Sequence, residues 1–182
     1  MVVYDDSNDL FSSKADALVN PVNCVGFMGR GLAKEFKKRF PECFEPYVRA
    51  CKERKLIPGR LMFIRLQIEP DLFKPSRPAV ILFPTKDHWR GKSHIDWIKQ
   101  GLTFLRSRYA EWELSSVAMP RIGCGLGGLD WESVRPLIHD AFDTEKLEVI
   151  VYMNSSKTEL LEKHSGHKSG GASQAFGASD SK

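Results

Sequence analysis

Six short runs of Val, Ile, Leu and Phe, at 1–4, 17–19, 61–66, 79–83, 117–119 and 149–152, alternate with longer stretches of amphipathic spacing. Runs this short and this uniformly apolar read as buried strands, and the stretches between them read as helices. The alternation predicts an α/β layered domain. With 182 residues the chain can build one substantial hydrophobic core, whereas two full domains would be cramped. In the helix expected at 31–40, Leu32, Phe36 and Phe40 recur at four-residue spacing, with Lys34, Lys37 and Lys38 off that stripe. A second, charged helix is expected at 46–55, closed by Pro58-Gly59. A third at 94–112 carries Ile95, Ile98, Leu102 and Leu105 on one face, with Ser93 as its N-cap. The last runs over 131–142, with Asp130 as cap and Glu132 in the first turn.

Several classes of protein are excluded by what the chain lacks. It has no run of about 18 apolar residues, so no membrane-spanning helix is expected. Its first residues carry Asp5, Asp6 and Asp9 where a secretory leader would need basic and then apolar residues, which points to the cytoplasm. Cys24, Cys43, Cys51 and Cys124 show neither CxxC spacing nor a nearby histidine pair, so reduced thiols are expected and no metal site. No cofactor is implied. The formal net charge of +4 favours a phosphate-bearing ligand without establishing one. The composition shifts near the end: a short charged helix is expected to about Lys163, then a Ser-, Gly- and Lys-rich tail that lacks the apolar residues to repay ordering. The expected division is a folded domain at 1–153 and a charged segment with disordered tail at 154–182.

Three segments that follow apolar runs concentrate chemistry. The first reads Val19-Asn20-Pro21-Val22-Asn23-Cys24-Val25-Gly26-Phe27-Met28-Gly29-Arg30-Gly31-Leu32 and leads into a helix. Its glycines permit close backbone approach, and the helix start offers N–H groups to an anion. Asn20 and Asn23 each bring a donor and an acceptor suited to ribose hydroxyls. The order GxxGxG is neither a Rossmann fingerprint nor a Walker A loop, so on pattern alone a structural turn competes with a ligand loop. The second segment, Met119 to Trp131, holds Gly123, Gly125, Gly127 and Gly128 within six residues. A plain turn needs one or two glycines, so a phosphate or diphosphate is favoured here. Loops of this kind at strand carboxyl ends line a common crevice, which makes a nucleotide diphosphate the leading ligand. The third segment, Phe83 to Arg90, gathers Lys86, His88, Trp89 and Arg90 at the same inferred edge. Lys86 either stabilises charge, serves as a nucleophile with a desolvation-lowered pKa, or is a solvated lysine at a strand end.

At these residues the sequence resembles macro domains, and among them those of the DarG antitoxins, which reverse DNA ADP-ribosylation by DarT toxins. The segments that carry the resemblance are NPVNCVGFMGRGLAKEFKKRFP, PGRLMFI, FPTKDHWRGKS and MPRIGCGLGGLDWESVRP, in the family's order, and it extends over roughly 1–153. It implies a three-layer α/β/α fold with a central mixed sheet, and an ADP-ribose cleft. Asn20 and Asn23 would lie beside the distal ribose, with Asn23 orienting its hydroxyls and Cys24 nearby without a chemical role. Gly26, Met28, Gly29, Gly31 and Leu32 would form the first ligand loop. Arg121, Ile122, Gly123, Cys124, Gly125, Leu126 and Gly127 would wrap the diphosphate, with Thr85 beside them. Asp9 and Leu10 are the candidates near adenine. Lys86 matches the lysine implicated in catalysis in DarG-like enzymes and in the related terminal ADP-ribose protein glycohydrolase.

The function implied is hydrolysis of the bond between ADP-ribose and a base, thymine by resemblance, in single-stranded DNA. Arg30, His88, Trp89, Arg90 and Lys92 would contact the strand. A DarT-like toxin is the implied partner and a monomer the implied state. Two departures bear on this. An aspartate that assists the lysine in the protein glycohydrolase is replaced by Gly127, and the large C-terminal region of DarG proteins has no counterpart here beyond the short tail. Rival readings are a module that binds ADP-ribosyl groups without cleaving them, and a hydrolase of carboxylate-linked ADP-ribose on proteins. A phosphatase lacks the metal ligands or cysteine motif it would need.

Overall fold

The computed structural model describes residues 1–66 and 78–154. Six strands form one sheet: β1 (Val2–Asp5), β2 (Ala17–Val22), β3 (Met62–Ile64), β4 (Ala79–Pro84), β5 (Ser116–Pro120) and β6 (Glu148–Tyr152). Their order across the sheet is β1-β6-β5-β2-β4-β3. All neighbours are parallel except β3, which runs antiparallel to β4 at the edge. Four helices cover it: α1 (Gly31–Arg39), α2 (Phe44–Lys52), α3 (Ile95–Arg108) and α4 (Trp131–Phe142).

Successive residues of a strand point to opposite faces, and this alternation builds two cores. Ala17, Val19, Ile81, Phe83, Val117, Met119, Val149 and Val151 pack with Ile98, Leu102 and Leu105 of α3 and Val134, Ile138 and Phe142 of α4. Leu18, Val22, Val80, Leu82 and Ala118 face the other way, onto Leu32 and Phe36 of α1 and Tyr47, Ala50 and Cys51 of α2. The result is the expected three-layer α/β/α arrangement with a mixed sheet. Burying a side chain such as Phe36 or Ile138 contributes about 1.5–3 kcal/mol, so both faces of the sheet anchor the loops that leave it.

Several local expectations are corrected. The strand expected at 61–66 shortens to Met62–Ile64. The second helix begins two residues earlier and stops at Lys52, where Arg54 enters the left-handed region at φ 53°. The third stops at Arg108, and Glu113 turns the chain at φ 58°. Ile95 is exposed rather than on the buried face; Gly101 takes that role, because a Cβ there would lie 2.3 Å from the Phe83 ring. Ser93 does not cap α3. His94 holds the N-cap position, and Ser93 is buried with its backbone N–H donated to the Gly127 carbonyl at 2.9 Å. Asp130 does hold the N-cap position of α4, but its carboxylate accepts from the Ser133 hydroxyl at 3.4 Å and not from a backbone N–H. The charged helix to Lys163 and the tail lie outside the described residues. No helix among the described residues is long and apolar enough to cross a membrane.

Candidate active site

β2, β4 and β5 are parallel neighbours, so the loops 23–30, 85–94 and 121–130 gather at one edge of the sheet. The chain leaves β2 toward the α1/α2 layer and leaves β4 and β5 toward the α3/α4 layer. Loops that part in this way open a crevice at the strand carboxyl ends. A cleft of about 680 Å³ lies there, lined by residues of all three loops.

The first loop folds around the amide of Asn23. Its Oδ1 accepts from the backbone N–H of Val25 at 3.0 Å and of Phe27 at 3.4 Å, and its Nδ2 donates to the Phe27 carbonyl at 2.6 Å. The buried Tyr47 hydroxyl lies 3.0 Å from both the Asn23 carbonyl and Oδ1, and burial pushes its phenol well above the ordinary value. Asn23 therefore shapes the loop, with one amide hydrogen left uncommitted among the described residues. Gly26 turns the chain at φ 79°, and Gly29 makes room for the Phe27 ring, which a Cβ would meet at 2.3 Å. α1 then begins at Gly31 with no side-chain hydrogen bond from its N-cap, Arg30. An uncapped helix start facing a cleft favours an anion.

The second loop is closed by its own backbone: Cys124 donates to the Arg121 carbonyl at 3.1 Å and Leu129 to the Gly123 carbonyl at 3.0 Å. Gly127 sits in its tightest place. A Cβ there would lie 2.2 Å from the Gly123 carbonyl oxygen and 2.4 Å from Ser93 Oγ. No aspartate fits this position without rebuilding the loop.

The third loop is tied to both others. Thr85 donates its N–H to the Val22 carbonyl at 3.0 Å, and the Asp87 carbonyl accepts from the Cys24 N–H at 2.9 Å. Lys86 Nζ donates to the Leu126 carbonyl. Lys86 is half-buried, and that burial holds its pKa below the ordinary lysine value. The lining brings Arg30, Lys86, Arg90, Lys92 and Arg121 together against one carboxylate, Asp130. Such a cleft attracts a doubly charged diphosphate.

Asn23, Gly29, Arg30, Leu32, Thr85, Lys86, Trp89, Arg90, Lys92, Arg121, Gly123, Cys124, Gly125, Leu126 and Gly127 all line the cleft. Asn20, Met28 and Ile122 are buried behind the wall, with Asn20 Nδ2 3.9 Å from Met28 Sδ. Cys24, Gly26 and Gly31 support the first loop from outside the lining, and His88 stacks on Trp89 at 5.4 Å. Asp9 and Leu10 are not among the residues that line this cleft: Asp9 caps a short turn by accepting from the Phe11 N–H, and Leu10 is fully buried. The lining also includes Phe27, Leu129 and Trp131, none of which was a candidate from sequence. For Phe27 a signal existed: a large aromatic inside a glycine loop has no core to join.

The cysteines near the cleft are poor nucleophiles. Burial pushes the Cys24 thiol up to about 12 and the Cys124 thiol up to about 11. A thiol that stays protonated reacts slowly. Iodoacetamide at neutral pH is therefore expected to leave both residues unmodified in the folded protein, as read by peptide mass spectrometry. Rapid labelling of either would show a thiolate that this environment disfavours.

The macro domain family model matches residues 19–138, a span that contains all three loops. The chain belongs to the macro domain family. The DNA ADP-ribosyl glycohydrolase of Mycobacterium tuberculosis is 38% identical over 164 residues, which is 89% of this chain and 45% of that protein. This macro domain thus spans less than half the length of that curated relative. The solved macrodomain of Mycobacterium tuberculosis DarG has a TM-score of 0.75 at 40% identity, covering 84% of this chain and 97% of that one. Thermosipho africanus DarTG, solved in complex with ADP-ribose, has a TM-score of 0.74 at 33% identity, covering 84% of this chain and 44% of that one.

Proposed function

We propose that this macro domain, over residues 1–153, removes ADP-ribose from a base in single-stranded DNA, with thymine as the base and a DarT-like toxin as the enzyme it opposes. The observation that carries this reading is Lys86. It reaches the cleft from the β4 loop and is held on the Leu126 carbonyl of the second glycine loop, next in the chain to Gly127, a position with no room for a carboxylate. The names and the folds of the relatives at 33–40% identity support the same substrate class.

The diphosphate lies between the two glycine loops, opposite the uncapped start of α1, and leaves the distal ribose toward Lys86. Asn23 holds the first loop in shape and directs its remaining amide hydrogen at the ribose. Lys86 acts as the neutral amine: Nζ bonds to the ribose anomeric carbon while the bond to the base nitrogen breaks, and the departing base takes the proton that Nζ gives up on bonding. Water then adds its oxygen to that carbon and frees the lysine. Burial favours this route, because the desolvation that disfavours an ammonium favours an amine.

The pH dependence tests the choice. The amine is uncharged above its pKa, so kcat/KM is expected to rise with pH through one ionisation and level off, with a midpoint below the ordinary lysine value of about 10.4. A fall over the same range would mean that the ammonium acts by charge alone. The second reading, a module that binds ADP-ribosyl groups and cleaves nothing, uses the same glycine loops; the half-buried amine at the cleft favours the enzyme.

A further inference from the structure

Along the carboxyl edge of the sheet the strands run β1, β6, β5, β2, β4. The two glycine loops follow the neighbours β5 and β2, so a diphosphate between them occupies the middle of the cleft. Trp131 marks the side nearer β1, its ring meeting Tyr4 edge-on at 6.2 Å. Lys86 marks the other side, beyond β2. ADP-ribose carries adenosine on one side of its diphosphate and the reacting ribose carbon on the other. The side with the amine therefore takes the reacting carbon, and what lies next to it must take the group that leaves.

Phe27 and Trp89 lie there, with ring centroids 5.5 Å apart and planes inclined by 42°. Both line the cleft, yet they are 47% and 40% exposed and belong to neither core. Their placement is fixed from several directions. Gly29 gives the Phe27 ring its seat, the Cys24 N–H to Asp87 carbonyl bond ties the two loops, and the Arg90 guanidinium lies 4.5 Å from the Trp89 ring centroid. Arg30, Arg90 and Lys92 line the same cleft and add positive charge to it. Exposed aromatics interleaved with cations suit an unpaired base on a phosphate backbone.

We propose that Phe27 and Trp89, two exposed rings in contact with each other, form a stacking platform for the base that leaves the reacting ribose, and thereby select single-stranded nucleic acid over protein. This rests on the glycohydrolase reading above. An ADP-ribosyl ester of a carboxylate presents no ring to the platform, and a base still paired and stacked in a duplex cannot lie on it.

The test uses the full chain with Lys86→Ala, so that a thymidine-ADP-ribosylated single-stranded oligonucleotide can be equilibrated without turnover. Adding Trp89→Ala or Phe27→Ala is expected to weaken binding of that oligonucleotide about 5- to 150-fold, while free ADP-ribose keeps its affinity within about twofold. Trp89→Phe, which retains a ring, restores most of the loss. Unchanged oligonucleotide binding in both variants overturns the platform, and so does an equal loss for free ADP-ribose, which would place the rings on ADP-ribose itself. The glycohydrolase reading fails on a separate observation, the absence of release by the native chain; selective ring-dependent binding would then stand as the base site of a reader.

Discussion

Lys86→Ala is expected to lower the rate of ADP-ribose release by about 10²–10⁴-fold while leaving the affinity for free ADP-ribose within about twofold. The separation follows from how the cleft is built. In the proposed pose ADP-ribose would be held by backbone: the start of α1, the loop folded on the Asn23 amide, and the second glycine loop closed by its own hydrogen bonds. Removing the Lys86 side chain deletes its bond to the Leu126 carbonyl but leaves the Cys124–Arg121, Leu129–Gly123 and Ser93–Gly127 bonds that shape that loop. Calorimetric titration with ADP-ribose and a turnover assay on the same preparation read the two effects. Lys86→Arg sharpens the test, because it keeps charge and removes the nucleophile. Arginine at full rate would reduce Lys86 to a cation, and parallel loss of binding and turnover in the alanine variant would make it a binding residue.

Gly127→Ala is expected to disrupt the site through packing alone. Its Cβ would meet a backbone carbonyl oxygen at 2.2 Å, and a carbonyl fixed in a closed loop cannot swing aside as the end of a side chain would. Overpacking of this kind costs about 1–3 kcal/mol. The strain falls on the Gly123 peptide and on Ser93, the two groups that set the second glycine loop against the β4 loop. ADP-ribose affinity is therefore expected to fall at least about tenfold, corresponding to about 1.4 kcal/mol, together with a lower melting temperature. Gly127→Asp is expected to behave the same way and to gain no activity on carboxylate-linked ADP-ribose. By contrast, Gly128 has nothing within 4 Å of a would-be Cβ, so contact alone does not penalise a side chain there, although its φ of 78° does. A Gly127→Ala protein with native affinity would show that this loop adjusts easily, and would remove the steric argument against an aspartate.

The fold was legible because its determinants are local and repeated. Each strand is a run of apolar residues, and α1, α3 and α4 carry their buried positions at helical spacing. The errors fell where tertiary contact decides. Ser93 looks like a cap in sequence, yet Gly127 approaches from a loop 34 residues away and takes the Ser93 backbone N–H, leaving His94 at the N-cap. Ile95 matches the apolar stripe of α3 but lies in its first turn, beyond the sheet, and stays exposed. At the site, the glycine loops and Lys86 could be read from consecutive residues. Asn20 and Asn23 could not be told apart: strand alternation turns Asn20 toward the α1/α2 layer beneath Met28, whereas Asn23 lies just past the strand end and reaches the cleft. Phe27 gave no periodic signal because its position comes from loops meeting in space, and Trp131, the first residue of α4, lies before that helix's buried stripe begins at Val134.

A cleft that acts on ADP-ribose joined to a base distinguishes two substrates offered side by side to the native chain, a thymidine-ADP-ribosylated single-stranded oligonucleotide and a protein carrying carboxylate-linked ADP-ribose, with the ADP-ribose released from each as the readout. Release from the oligonucleotide, abolished by Lys86→Ala, with little or none from the protein is the expected result. Release from the protein with the oligonucleotide untouched, or binding of both with release from neither, would overturn the assignment.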